Sequence, residues 1–227
     1  MIEWRIVPDG EALAEEACSR ILAAAHTAVS ARGVFHFVLA GGSTPLAIYR
    51  RLRQADFDGA SWQIWWGDER CLPADHAERN SRSASVVWLA HGQIPPTNIH
   101  PIPAELGPAN AARLYAEMLP AQPFDLTLLG LGEDGHTASL FPDHDLGCGS
   151  GAPAVLPIEG APKPPPQRVS LSCARLSESR QVLFVVSGAA KRAALAAWRA
   201  GEALPAARIG ARERLTVLAE RASVKQE

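Results

Sequence analysis

VFHFVLAGGSTPLAIYRRLRQ, residues 34–54, is the stretch from which the fold is read. Val34 to Ala40 is apolar apart from His36 and reads as a buried strand. Gly41 and Gly42 turn the chain, and Pro45 to Gln54 then carries Leu46, Tyr49 and Leu52 at helical spacing. A buried strand feeding straight into a helix is the unit from which parallel sheets are built.

The same alternation continues on both sides. Towards the N-terminus, Ile2 to Val7 reads as a strand and Asp9 to Ser30, rich in Ala and Leu, as a helix. Towards the C-terminus, Trp62 to Trp66 is a strand, Arg79 to Ala90 helical, Asn98 to Ile102 a short strand, and Pro108 to Leu119 a helix with Pro at its start. Phe124 to Leu129, Val169 to Leu171 and Gln181 to Val186 are further strands. Ala189 to Ala200 is a helix, and Val217 and Leu218 belong to a last short strand. Strands alternating with helices give an α/β protein with a mainly parallel sheet and helices on both faces. The proline-rich run APKPPPQ, 161–167, is too short for a domain linker, so residues 1–227 read as a single domain.

The chain has 227 residues, and 22 Lys and Arg against 24 Asp and Glu leave a net charge of -2. Such a balance offers no nucleic acid or membrane surface a broad partner face, so any anion site must be local. The first twenty residues are charged throughout and do not form a secretory signal. No apolar run approaches the roughly 18–20 residues of a membrane span. Cys18, Cys71, Cys148 and Cys173 are widely and irregularly spaced, which suggests neither a zinc site nor a disulfide framework. A reducing cytoplasm is the expected location.

In a parallel sheet, ligand-binding residues follow strands at their carboxyl ends. Five segments stand there. In the first, Gly41 and Gly42 let the backbone approach an anion, and Ser43 or Thr44 can cap a helix whose positive end suits phosphate. The second, WWGDERCLP (65–73), places Asp68, Glu69 and Arg70 in a loop after a strand. Arg70 matches phosphate with a planar fork, whereas Glu69 reads as a solvated loop charge. The third, FDLTLLGLGEDGHTASLFP (124–142), sets His136 in a glycine-rich turn beside Asp134, which can hold one imidazole nitrogen and leave the other free. No second His lies three or four residues away, and His144 stands eight on beyond Pro142, so no metal is expected. The fourth and fifth supply cations: Arg168 at the start of a strand, and Lys191 in SGAAK, where Ser187 can cap the helix. Cys71 has no adjoining His and is not read as a nucleophile.

Taken together and in order, LAGGSTP, WGDERCLP with the following RNSRSA, LLGLGEDGHTASLFP, PKPPPQRVSLS and SGAAKRAAL resemble the 6-phosphogluconolactonase family. The matching segments extend from about residue 38 to about 198. The resemblance implies a Rossmann-like α/β domain, a phosphorylated sugar lactone as substrate and no cofactor. It implies His136 as general base, with Gly42, Ser43, Thr44, Arg70 and Lys191 around the phosphate and Arg168 near either the phosphate or the sugar. Asp68 matches a position that works on the sugar in the related glucosamine-6-phosphate deaminases. Those relatives carry an acid after the motif histidine, where this chain reads Ser139-Leu140-Phe141, which favours the lactonase. The rival readings are an amino-sugar-phosphate deaminase/isomerase and a non-catalytic sugar-phosphate-binding domain. The second would call for a DNA-reading helix pair and a basic patch, neither of which the sequence displays.

Overall fold

The structure, a computed structural model, describes residues 2–224. Its strands are β1 (Ile2–Val7), β2 (Phe35–Leu39), β3 (Trp62–Trp66), β4 (Asp68–Arg70), β5 (Leu126–Gly130), β6 (Val155–Ile158), β7 (Arg168–Leu171), β8 (Gln181–Val186) and β9 (Arg214–Glu220). Its α-helices are α1 (Gly10–Arg32), α2 (Ser43–Gln54), α3 (Asn80–Val87), α4 (Pro108–Met118), α5 (Cys173–Ser177) and α6 (Arg192–Arg199). Among the described residues no helix is long and apolar enough to cross a membrane.

Every residue of β2 is buried, as a central parallel strand covered on both faces requires. The main sheet has the order β1-β9-β8-β5-β2-β3, and all its neighbours are parallel. Helix α1 packs on α2 and across β2, β8 and β9. Its ends are chemically marked: Asp9 accepts from the Ala12 N–H at 2.9 Å, and Gly33 closes the helix at φ 74°.

The chain leaves β2 towards β3 on one side, whereas β5 leads to β8 and β9 on the other. A crevice therefore opens between the carboxyl ends of β2 and β5, where connections diverge. Two buried tyrosines fix the ends of β2 and β3. The Tyr49 hydroxyl donates to the Ala40 carbonyl at 2.8 Å and accepts the Ala40 N–H at 3.0 Å. Tyr115 of α4 takes both backbone groups of Trp66 in the same way, at 3.1 and 2.9 Å. Each satisfies the polar groups left where a strand ends inside the protein.

Several expectations are corrected. Asp68, Glu69 and Arg70 are not a loop but β4, in a second sheet of order β4-β7-β6. Its pairs are antiparallel, so Val169–Leu171 belongs to this small sheet and not to the main one. Asn98 to Ile102 forms only a single bridge, Ile64 to Ile99, after a 3-10 turn at Pro96–Asn98. Prolines at 95, 96, 101 and 103 remove the donors a strand would need. The last strand, in contrast, is seven residues long and pairs on both sides. Neither Ser43, Thr44 nor Ser187 caps a helix through its side chain: Gly42 and Gly188 hold the cap positions. Cys148 and Cys173 form a disulfide with Cα atoms 4.8 Å apart. The pairing arises because Cys173 N–H bonds the Leu146 carbonyl at 2.8 Å, laying the 146–149 loop along the start of α5. Sequence spacing gives no sign of that contact.

Candidate active site

The crevice is a cleft of about 270 Å³. The Gly41–Pro45 turn lines it after β2, Asp68 and Arg70 of β4 line another side, and Gly130 to Gly132 with His136 to Ala138 line it after β5. Arg168 of β7 and Ser187 and Lys191 after β8 complete the wall. Every residue expected from the sequence to belong to the site lines this cleft except Asp134, which stands behind His136.

His136 lies in a tight turn closed by Gly132 N–H to the His136 carbonyl at 2.7 Å and Gly135 N–H to the Gly132 carbonyl at 3.1 Å. Its Nδ1 hydrogen-bonds Asp134 Oδ1, and its ring leans on Phe141 with centroids 4.8 Å apart. A Cβ at position 132 would overlap the imidazole, so only glycine lets the turn fold back on its own histidine. Burial pushes the His136 imidazole below its ordinary value, more strongly than the hydrogen bond and charge of Asp134 pull it up. For Asp134, burial raises the carboxyl, but the bond and charge of His136, with Lys163 beside it, leave it below the ordinary range. Both directions describe one state at neutral pH: a carboxylate beside a neutral imidazole. With Nδ1–H given to Asp134, the lone pair is on Nε2, the nitrogen available to the cleft.

Asp68 is buried in the cleft wall. Its Oδ2 accepts from the Ser139 hydroxyl at 2.6 Å, and its Oδ1 from the Asn80 amide at 3.2 Å. Ser139 and Asn80 were not found from the sequence as site residues. Both lie in segments that carried the resemblance, but nothing local showed that they would meet one carboxylate across 71 and 12 residues. Gly41 is needed for the same cluster, since a Cβ there would strike the Asn80 amide.

The three cations differ in freedom. Arg70 is anchored by Nη1 on the Glu78 carbonyl at 2.7 Å. Arg168 is more committed: Nε bonds the Pro165 carbonyl, and Nη2 those of Lys163 and Pro164, all at 3.0 Å. Only its Nη1 makes no hydrogen bond among the described residues, so much of Arg168 holds the proline loop. Lys191, in the 3-10 turn that precedes α6, also lines the cleft.

Glu69 corrects the expectation of a solvated loop charge. It is fully buried, accepts the N–H groups of Arg70, Asn80 and Ser81 at 2.8, 2.7 and 2.8 Å, and faces buried Arg79. Strand alternation explains it: Asp68 and Arg70 face the cleft, and the residue between them must face away.

The model of the family described as glucosamine-6-phosphate isomerases/6-phosphogluconolactonase matches residues 8–218. The chain belongs to this family. Within it, a 6-phosphogluconolactonase of Mycobacterium leprae is 35% identical, covering 97% of this chain and 96% of that one. A Synechocystis 6-phosphogluconolactonase is 38% identical over 78% of this chain and 77% of the relative. The crystal structure of 6-phosphogluconolactonase from Thermotoga maritima has a TM-score of 0.88 at 28% identity, covering 97% of this chain and all of that one. A monomeric glucosamine-6-phosphate deaminase, at 18% identity and a TM-score of 0.82, shares the fold.

Proposed function

We propose that this chain hydrolyses 6-phospho-D-glucono-1,5-lactone to 6-phospho-D-gluconate, with His136 as general base. The coarser statement, an enzyme of the lactonase class of carboxylic ester hydrolases acting in sugar-phosphate metabolism, rests on the family and on its relatives of 35–38% identity. The observation that carries the finer one is His136 itself, held by Asp134 through Nδ1 in a cleft lined with cations, where burial favours the neutral imidazole.

The phosphate takes the N–H groups at the start of α2 with Arg70 and Lys191, a helix terminus and two charges of the right sign. Gly41, Gly42, Ser43 and Thr44 form the backbone part of that cradle. Once the phosphate is fixed, the lactone ring reaches His136. Nε2 removes a proton from water as the water oxygen attacks the carbonyl carbon. As the tetrahedral intermediate collapses, the ring C–O bond breaks, and the imidazolium returns its proton to the departing oxygen. Asp134 keeps the ring oriented and stabilises the transient positive charge. Asp68, fixed by Ser139 and Asn80, faces the sugar as a hydrogen-bond acceptor for its hydroxyls.

The test is proton release from freshly prepared 6-phosphoglucono-δ-lactone at neutral pH, with spontaneous opening subtracted and a parallel run containing chelator. Acceleration in both runs supports the reading. No acceleration, with ammonia released from glucosamine 6-phosphate instead, would overturn it. Arg70→Ala and Lys191→Ala are each expected to raise KM by roughly 10–100-fold, the weight of one charge-assisted phosphate contact, while changing kcat little. Steady-state kinetics on the two variants reads this directly, and a KM within twofold of the parent would remove that residue from the phosphate cradle.

A further inference from the structure

The loop 161–167 is the motif that the reaction above leaves unused. Its backbone is held by hydrogen bonds at four positions. Arg168 ties down the carbonyls of Lys163, Pro164 and Pro165, and the Ala161 N–H closes the loop on the Pro166 carbonyl at 2.9 Å. Prolines on both sides of Lys163 restrict it further. From this fixed backbone the Lys163 side chain reaches back to the catalytic turn, with Nζ 3.7 Å from Asp134 Oδ2. The other carboxylate oxygen, Oδ1, is the one bonded to His136 Nδ1. A second connection runs through Arg168, whose guanidinium lies 5.5 Å over Phe141, the ring on which His136 leans.

A half-exposed ion pair normally contributes little, because two flexible side chains must be ordered to make it. Here the loop already fixes the Lys163 backbone and the bond to His136 fixes the carboxylate, so the lysine stem is what remains to be ordered. We propose that Lys163 is a positioning residue for His136: it holds the Asp134 carboxylate against Nδ1 and opposes, with its own charge, the gain of a proton at Nε2. The inference rests on His136 acting as the base.

The charged groups around the imidazole give the sign of the effect. Asp134 from its own turn and Asp68 from β4 favour the imidazolium, whereas Lys163 from the proline loop disfavours it. Arg70, Arg168 and Lys191 stand in the same cleft with the same sign as Lys163. Removing Lys163 leaves the carboxylates less opposed, so His136 protonates at higher pH and the acid limb of the rate profile moves upward.

The experiment compares wild type with Lys163→Met and Lys163→Arg in two measurements. One is kcat/KM from acid to alkaline pH. The other is an NMR titration of the His136 ring, its signal assigned by its absence in His136→Gln. For Lys163→Met we expect a loss of roughly two- to fivefold near pH 6 that recovers in the alkaline range, the size of a partly screened charge at close range. The NMR midpoint should rise in step, and Lys163→Arg should stay close to wild type. An unmoved midpoint, or an equal loss at every pH, would overturn the proposal, the latter marking the loop as structural only. A midpoint that moves while the rate profile does not would support the hold of Lys163 on the imidazole and overturn His136 as the base.

Discussion

His136→Ala is expected to lower kcat by roughly 10²–10⁴-fold, the usual worth of a positioned general base, with KM within about twofold of the parent. The separation follows from the geometry of the cleft. The imidazole stands on the turn after β5, whereas the helix terminus and cations proposed for the phosphate stand after β2, at the end of β4 and after β8. On the proposed assignment, substrate binding draws on contacts that the substitution leaves alone. The variant should also keep its fold, because the backbone bonds that close the turn, Gly132 N–H to the 136 carbonyl and Gly135 N–H to Gly132, do not involve the ring. Background-corrected proton release with a far-ultraviolet spectrum as control reads both points. A kcat within threefold of the parent in a folded variant would remove His136 from the chemistry. A tenfold rise in KM with little change in kcat would make it a binding residue.

The part of this site that was legible in the sequence is the part written in consecutive residues. Strands ending in Gly41-Gly42 and Gly130 announce where the chain turns at the carboxyl edge of a parallel sheet, and short-range chemistry singles out His136 with Asp134 two residues before it. What sequence could not supply is pairing across distance. Ser139 meets Asp68 only because β4 crosses to the second sheet, and that sheet has three strands of three or four residues, one of them interrupted by Pro157. Strands so short carry too few alternations to be seen. The disulfide between Cys148 and Cys173 is invisible in the sequence for the same reason, since only the folded loop brings the two together. Arg168 shows a further limit: a cation in the right place is partly consumed by backbone carbonyls, which no reading of residue types reveals.

Buried Glu69 carries the largest expected stability effect. Glu69→Ala is expected to cost about 3–5 kcal/mol, the usual result of stranding one member of a buried ion pair. Arg79, its partner, is almost wholly buried, with Nε 3.1 Å from Glu69 Oε2. The Nε hydrogen does not point at that oxygen, so the contact is one of charge, and hydrogen bonds from Arg79 run instead to the carbonyls of Leu72 and Ile102 and to Glu105. Removing the carboxylate also leaves the N–H groups of Arg70, Asn80 and Ser81 without their acceptor. A typical domain has only about 5–15 kcal/mol to lose, so the variant should unfold at a much lower denaturant concentration. Glu69→Gln keeps the shape and an acceptor oxygen but not the charge, and should fall between the two. Because Asn80 holds Asp68 and the next residue is Arg70, the folded fraction of either variant should also show a raised KM. Urea titration and kinetics below the unfolding transition check both consequences. A midpoint unchanged in Glu69→Ala would mean that the buried pair is not what fixes β4 against α3. A lowered midpoint with an unchanged KM would mean that β4 keeps the cleft side in order without it.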